Sequence, residues 1–304
     1  MIRRLAHWFW QQPYLLLPLT FLAWAINIVV GRAIAGQIPP IALAQIRWLG
    51  ASAIVVPLAW RHLRQDWPEI RRHAGLLLAL AASGIGVYNT LAYAALQYTE
   101  ALNGLLVQSA FPLVIGLWSF LIFRDRLSAA QIVGIVLSLA GVVTIVCRGD
   151  PGLIASLTLN RGDVMMLVAV AVYALYSTLL KARPAIHPLS LLAVVMAAGA
   201  AMILPFWAWE ISTGYVIRPT PVTFAVLGFV VVFPSTLAYL IFNRGVELIG
   251  PNRAGPFFHL LPVFGSALAI LFLGESLRWF HLAGYALILA GIVVAQRRGT
   301  PREA

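Results

Sequence analysis

The sequence predicts an all-α integral membrane protein with ten transmembrane helices, arranged as two five-helix repeats of inverted topology. Three observations carry this prediction: an apolar composition, a long internal repeat and an uneven distribution of basic residues. Hydrophobic residues make up 61% and charged residues 10% of the 304 positions, whereas soluble domains are about half apolar and a quarter charged. A chain of this length has room in lipid for roughly ten spans of about 20 residues.

Apolar runs between charged residues or Pro/Gly positions define the ten predicted spans. They lie near residues 14–31, 40–60, 74–97, 100–123, 129–147, 163–181, 188–209, 221–243, 251–273 and 280–296. Only a few residues separate the third span from the fourth, and we predict a tight helical hairpin there.

The second half of the chain repeats the first. A period near 150 residues is too long for a solenoid, so it marks a whole folding unit. We therefore predict two units, residues 1–150 and 151–304. Two pairs of segments align without a gap, 100–148 with 250–298 and 23–60 with 172–209.

Basic residues indicate the orientation of the spans. If the N-terminus is cytoplasmic, five basic residues face outward, namely Arg32, Arg148, Arg161, Arg218 and Arg278. Fifteen then face inward, namely Arg3, Arg4, Arg61, Arg64, Arg71, Arg72, Arg124, Arg126, Lys181, Arg183, Arg244, Arg253, Arg297, Arg298 and Arg302. This bias follows the positive-inside rule and explains the net charge of +11 without a nucleic-acid partner.

We expect a multi-pass protein of the bacterial inner (plasma) membrane with both termini in the cytoplasm. Because each unit has an odd number of spans, the second unit enters the membrane from the opposite side, and the repeats are inverted. Inverted repeats usually hold substrate near the midplane of the bilayer, between the two units.

The ends of the two units carry motifs of a known family. They read QSAFPLVIGLWSFLIFRDRLSAAQIVGIVLSLAGVV and HLLPVFGSALAILFLGESLRWFHLAGYALILAGIVV, each with a proline, then an acidic residue (Asp125 or Glu275), then a glycine-spaced closing helix. The chain resembles the drug/metabolite transporter superfamily, and within it the ten-helix proteins with two EamA-type units. That superfamily carries amino acids, nucleotide sugars, sugar phosphates and cationic drugs.

Polar and aromatic residues inside the predicted spans are the candidates for substrate binding. Each of them either lines a pathway or pairs with another helix, whereas the set together favours a cavity. His259 contacts a substrate carboxylate, acts as a titrating switch or packs as a neutral imidazole. The candidates are Trp24, Asn27, Tyr88, Asn89, Gln108, Tyr173, Tyr176, Tyr239, Asn243, Phe258 and His259.

Three prolines inside spans, Pro112, Pro234 and Pro262, are predicted gates or hinges, the alternative being kinks tolerated for packing. A proline removes one helical hydrogen bond and frees the carbonyl four residues earlier, which for Pro234 is that of Val230. Such a carbonyl must face protein or a water-filled cavity. Arg47 lies about seven residues inside the second span, and we expect it to snorkel to the outer interface as a structural anchor. The alternative is a substrate ligand, since the phosphate carriers of the superfamily would need such a charge.

Acidic residues are expected only near span ends, at Glu100, Asp125, Glu210, Glu247 and Glu275. A proton-coupled cation antiporter needs a carboxylate inside the membrane, so that mechanism is disfavoured. Aromatic rings can meet the ammonium group of a zwitterion. In this respect the chain is similar to the YddG branch of exporters for aromatic and other neutral amino acids.

We therefore predict a secondary transporter that exports neutral amino acids or related small metabolites by alternating access. The alternatives are a carrier of drugs, nucleotide sugars or sugar phosphates, and a channel. No intramembrane nucleophile or metal-ligand spacing is visible, and Cys147 is the single cysteine, so neither an enzyme nor a cofactor or metal is predicted.

Small residues on the fifth and tenth spans lie on one face at helical spacing. Such faces let helices approach closely in lipid. We predict that these two helices pack on each other within a monomer, away from the substrate. The residues are Gly134, Ser138, Gly141, Gly284 and Gly291.

Overall fold

The structure, a computed structural model, describes residues 8–108, 110–124, 128–150, 152, 160–249, 257–258 and 260–296. Helices within these residues correspond to the ten predicted spans, which confirms the prediction of an all-α membrane protein. Their bounds are α1 Pro13–Ala33, α2 Pro40–Arg72, α3 Ala74–Ala81 with Ala82–Val87 and Tyr88–Ala95, α4 Ala101–Gln108 with Phe111–Phe123, α5 Ala129–Val146, α6 Arg161–Leu179, α7 Pro188–Ser212, α8 Pro221–Val230 with Val231–Leu237 and Ala238–Ile249, α9 Leu260–Leu273, and α10 Trp279–Gln296.

Seven of the described helices are long and apolar enough to cross a membrane by themselves. The two segments of α4 form an eighth span that is bent by 46°, while α9 and α10 are shorter apolar helices. The short connection from Ala95 to Ala101 is the predicted hairpin between α3 and α4.

Helix α2 is longer than predicted, because it continues past residue 60 to Arg72. The added turns are rich in charged residues, so hydropathy placed the end of the span at their start. A helix ends where its backbone hydrogen bonds end, and α2 therefore extends beyond its apolar portion.

Two helices contain a π-helical segment at equivalent positions of the two repeats, Ala82–Val87 in α3 and Val231–Leu237 in α8. A π segment widens the helix by one residue and leaves carbonyl groups out of the usual i→i+4 pattern. Neither segment was predicted, although Pro234 lies inside the second one.

Helices of the two repeats pack in related pairs. Helix α2 lies along α7, and α5 lies along α10. Helix α1 packs on α8 and α9, as α6 packs on α3 and α4. The closest of these contacts is between α5 and α10, where the Ser138 hydroxyl donates to the carbonyl of Ile288 at 3.1 Å. The predicted contact of the small-residue faces is confirmed.

The opposite face of α5 is apolar and exposed. Its side chains point away from the bundle at helical spacing, as expected for a helix that borders lipid. Helix α5 thus presents small side chains to α10 and bulky apolar side chains to the membrane. The exposed residues are Ile132, Val133, Val136, Leu139 and Val143.

Gly141→Ala tests this packing. A methyl group at this position would lie 2.5 Å from the carbonyl oxygen of Gly284, a backbone atom that cannot move aside. We expect a loss of about 1–3 kcal/mol, as for other overpacked interiors, and a lower melting temperature in detergent. Gly228→Ala is the control, since no atom lies within 4 Å of the added methyl. Equal melting temperatures for the two variants would contradict the close contact.

Candidate substrate site

A cavity lies in the centre of the bundle, between helices of both repeats. Its volume is about 50 Å³, on a scale where one water needs roughly 10–15 Å³. The wall combines aromatic rings, amides and one arginine. Its residues are Trp24, Asn27, Ile28, Arg47, Tyr88, Asn89, Ala92, Tyr93, Gln108, Phe111, Tyr173, Tyr239, Phe258 and Leu261.

Most of the predicted binding residues lie in this wall. Those that do are Trp24, Asn27, Tyr88, Asn89, Gln108, Tyr173, Tyr239 and Phe258. The structure shows that these residues lie together around the cavity. That they contact the substrate stays a prediction.

Three predicted binding residues are not in the described wall. Tyr176 packs beside Tyr173, with ring centroids 5.3 Å apart, and its ring lies over Gly84, where there is no side chain. Asn243 is four residues beyond Tyr239 on α8, about 6 Å farther along the helix axis. His259 lies outside the described residues.

Aromatic rings form two groups on the wall. Trp24 and Tyr239 meet edge to face at 5.5 Å between centroids. Tyr88 packs on Tyr173 at 4.6 Å, and Phe111 lies 5.2 Å from Tyr173. Such pairs hold the rings rigidly and present their faces and edges to a ligand.

Amide and hydroxyl groups form hydrogen bonds beside these rings. The Tyr88 hydroxyl donates to Gln108 Oε1 at 3.2 Å, and Gln108 Nε2 faces the sulfur of Met166 at 3.8 Å. Asn89 donates through Nδ2 to the carbonyls of Gly84 and Ile85, both at 3.2 Å. Asn89 therefore pairs carbonyls in the π segment of α3.

Arg47 is part of the wall, and the expectation that it snorkels to the interface is wrong. Its side chain is 4% exposed. Nε donates to the hydroxyl of Ser235, and Nη1 donates to the hydroxyl of Tyr93 at 2.8 Å. The hydroxyl of Tyr93 in turn donates to Asn27 Oδ1 at 2.8 Å. Partners on two helices, α8 and α3, thus turn the arginine inward, which its position along α2 did not reveal.

The freed carbonyl predicted from Pro234 is present and paired. Val230 O accepts from the Ser235 hydroxyl at 2.6 Å, and the same hydroxyl accepts from Arg47. Trp24 Nε1 donates to the carbonyl of Pro234 at 3.0 Å. The π segment of α8 therefore orients two wall residues, Trp24 through a backbone carbonyl and Arg47 through the Ser235 hydroxyl.

The other two predicted hinges lie in α4 and α9. Pro112 is at the start of the second segment of α4, next to the 46° bend. Pro262 is buried near the start of the described part of α9. The bend in α4 coincides with the proline, while a gating role for either residue stays a prediction.

Two carboxylates cap helices at one end of the bundle, the end at which α4 begins, which we call the Glu275 end. Glu275 accepts from the backbone N–H groups of Ala101 at 2.9 Å and Leu102 at 2.8 Å. Glu210 accepts from the N–H groups at the start of α2, from Ile41 at 3.1 Å and Ala42 at 2.7 Å. Glu210 and Glu275, both in the second half of the chain, thus each cap a helix of the first half. Each carboxylate pairs backbone donors that would otherwise be free and interacts favourably with the positive end of the helix dipole.

A second polar group at the Glu275 end was missed in the sequence. Asp163 is 1% exposed and accepts from the hydroxyl of Thr99 and from Asn103 Nδ2 at 3.3 Å. Asn103 Oδ1 lies 2.8 Å from His281 Nε2, whose Nδ1 accepts from the backbone N–H of Arg278. Because Nδ1 accepts, the ring proton is on Nε2, which donates to Asn103. The sequence analysis did not consider Asp163, which is the first residue of its predicted span.

The chain matches the EamA-like transporter family twice, over residues 11–147 and 160–296. A multi-pass bundle with an internal cavity is the architecture expected of a membrane transporter. The chain belongs to the EamA-like transporter family, within the drug/metabolite transporter superfamily.

Relatives of known sequence are similar along most of their length. The uncharacterized transporter YyaM of Bacillus subtilis is 27% identical over 231 residues, which cover 75% of this chain and 74% of the relative. An uncharacterized transporter of Archaeoglobus fulgidus is 27% identical over 286 residues, 93% of this chain and 96% of the relative. One crystal structure superposes with a TM-score of 0.63 at 20% identity, over 94% of this chain and 97% of the other, which supports the fold.

Glu275→Ala tests whether the carboxylate caps hold the Glu275 end closed. Loss of a helix cap costs about 1 kcal/mol, which corresponds to a roughly fivefold larger open fraction. We expect a cysteine at the wall position Ile28, in a Cys147→Ala background, to react faster with a charged thiol reagent. Glu69→Ala is the control, because the pairing of Glu69 among the described residues is local, with His73 four residues along the chain. Unchanged labelling in Glu275→Ala would show that the cap does not limit access.

Proposed function

We propose that the chain is a secondary carrier that exports neutral amino acids, aromatic ones among them, or related small metabolites by alternating access. The observation that carries the proposal is the central cavity, which both halves of the chain enclose with aromatic rings and fixed polar groups. Substrate sites are typically apolar cavities with a few oriented polar groups.

The size of the cavity favours a carrier over a channel. Its volume of about 50 Å³ holds a few waters and no amino acid. Substrate entry therefore requires the halves to separate, which is the movement of alternating access. Caps across the halves at Glu210 and Glu275 are contacts that such a movement would break.

The chemistry of the wall favours an amino acid or a similar solute. Rings of Trp24, Tyr88, Tyr173 and Tyr239 suit an apolar side chain. Arg47 suits a carboxylate, and ring faces suit an ammonium group. The buried carboxylates Asp163 and Glu210 lie outside this wall, so we keep the proposal that transport needs no proton gradient.

The proposed membrane arrangement rests on charge and on the repeat. Fifteen basic residues against five support a cytoplasmic location for both termini in a bacterial inner membrane. The π segments at equivalent positions of α3 and α8 support a site between inverted units. The α5–α10 contact within one chain supports a monomer.

Counterflow in liposomes tests this function. Purified protein in vesicles loaded with unlabelled Trp, Phe, Met or Thr should accumulate the same labelled amino acid, with saturation, in the absence of a pH gradient. Vesicles without protein are the control. Absence of counterflow for every small solute tried would refute the carrier proposal. Flux that is lost without a pH gradient would contradict transport without proton coupling.

Gln108→Leu tests the wall. The amide receives the Tyr88 hydroxyl inside the cavity, and its loss leaves a polar group unpaired at a cost of about 1–3 kcal/mol. We expect counterflow to fall about tenfold or more. Thr144→Val is the matched control, because its hydroxyl bonds only within α5, at an exposed position. Equal transport by both variants would show that Gln108 is not at the substrate site.

A further inference from the structure

Arg47 is a buried cation in an otherwise neutral wall. Among the residues that the structure describes, no carboxylate lies within 4 Å of its guanidinium, and the one ion pair found there joins His73 and Glu69. Its partners are the hydroxyls of Ser235 and Tyr93 and the ring of Trp48, whose centroid is 4.7 Å from the guanidinium carbon. Arg47 therefore carries its full charge into the cavity.

The guanidinium also has N–H donors that are not used by the described residues. It has five N–H donors, of which one on Nε and one on Nη1 are paired, while no described residue accepts from Nη2. A buried charge without a counter-ion is unfavourable, and an anion that enters the site relieves the cost. The planar fork of arginine fits a carboxylate through two parallel hydrogen bonds.

We propose that Arg47 binds the carboxylate of the transported solute and that an ammonium group is not required. The substrate class is then the monocarboxylates with an aromatic or apolar body, which includes aromatic amino acids, their 2-oxo acids and arylalkanoates. This proposal rests on the proposed carrier function, because it names the chemistry recognised in the same cavity.

The wall favours this class over amines and phosphates. No aspartate or glutamate is among the described wall residues, so an ammonium group would meet only rings and carbonyls, while the nearby Arg47 repels it. A phosphate dianion calls for more than one cation, and Arg47 is the one arginine or lysine in the described wall. The rings of Trp24, Tyr88 and Tyr173 provide a surface for a planar apolar body.

A series of matched ligands tests the proposal on the wild-type protein. Binding of L-phenylalanine, 3-phenylpropionate, 3-phenylpropanamide, phenethylamine and phenyl phosphate is measured by calorimetry on purified protein in detergent. We expect both carboxylates to bind about tenfold or more tightly than the amide and the amine, since a hydrogen bond to a charged group is lost in each. An amine or a phosphate that binds as tightly as 3-phenylpropionate would overturn the assignment, as would no binding of any carboxylate.

The variants Arg47→Gln and Arg47→Lys assign the preference to the residue. Arg47→Gln should bind 3-phenylpropionate and its amide equally, while Arg47→Lys should keep part of the preference for the carboxylate. A purely structural role would lower the affinity for both ligands and leave their ratio unchanged, which would refute the proposal. If Arg47→Gln fails to fold, Arg47→Lys and the wild-type ligand series still test whether Arg47 binds the carboxylate.

A failure of the Arg47 proposal can be distinguished from a failure of the carrier proposal. Counterflow of amino acids together with equal binding of the amide and the carboxylate would refute the role of Arg47 and leave the carrier intact. Selective carboxylate binding without counterflow of any solute would refute the carrier and leave the anion site.

Discussion

The hydrocarbon core of a membrane offers no hydrogen bonds, so each backbone group freed from a helix must find a partner inside the protein. The structure depends on this constraint at the two π segments. In α8 the hydroxyl of Ser235 pairs the carbonyl of Val230, and the hydroxyl of Thr236 pairs that of Val231 at 2.8 Å. In α3 the amide of Asn89 pairs two carbonyls. In both irregular segments these carbonyls are thus paired inside the protein, although Val232, Phe233 and Leu237 of the α8 segment are themselves exposed.

The same pairing orients the charged group of the site. Ser235 accepts from Arg47 while it donates to the freed carbonyl, and Tyr93 accepts from Arg47 while it donates to Asn27. Each hydroxyl uses its donor on a neutral acceptor and its lone pair on the cation. The guanidinium is thus fixed in direction without being neutralised, which leaves its charge available in the cavity.

The two halves make different contributions despite their repeat. Most of the described wall comes from α1 to α4, whereas the carboxylates that cap helices at the Glu275 end, Glu210 and Glu275, come from the second half. Because a carboxylate at a helix N-terminus pairs donors that otherwise need water, the two caps tie the halves together. A movement of one half against the other would exchange these bonds for bonds to water, which is a small change in free energy.

The sequence by itself determined the ten spans, the repeat and the contact between α5 and α10, because lipid selects apolar segments of fixed length and small residues mark close packing. It also identified eight residues of the wall, since polar groups inside a span are costly in lipid and usually face the protein interior or a cavity. Only the tertiary structure decided the direction of Arg47, the burial of Asp163 and the position of Tyr176 behind Tyr173. Those depend on partners from distant parts of the chain, Ser235 for Arg47, Thr99 for Asp163 and Gly84 for Tyr176, and spacing within one helix cannot reveal a partner on another.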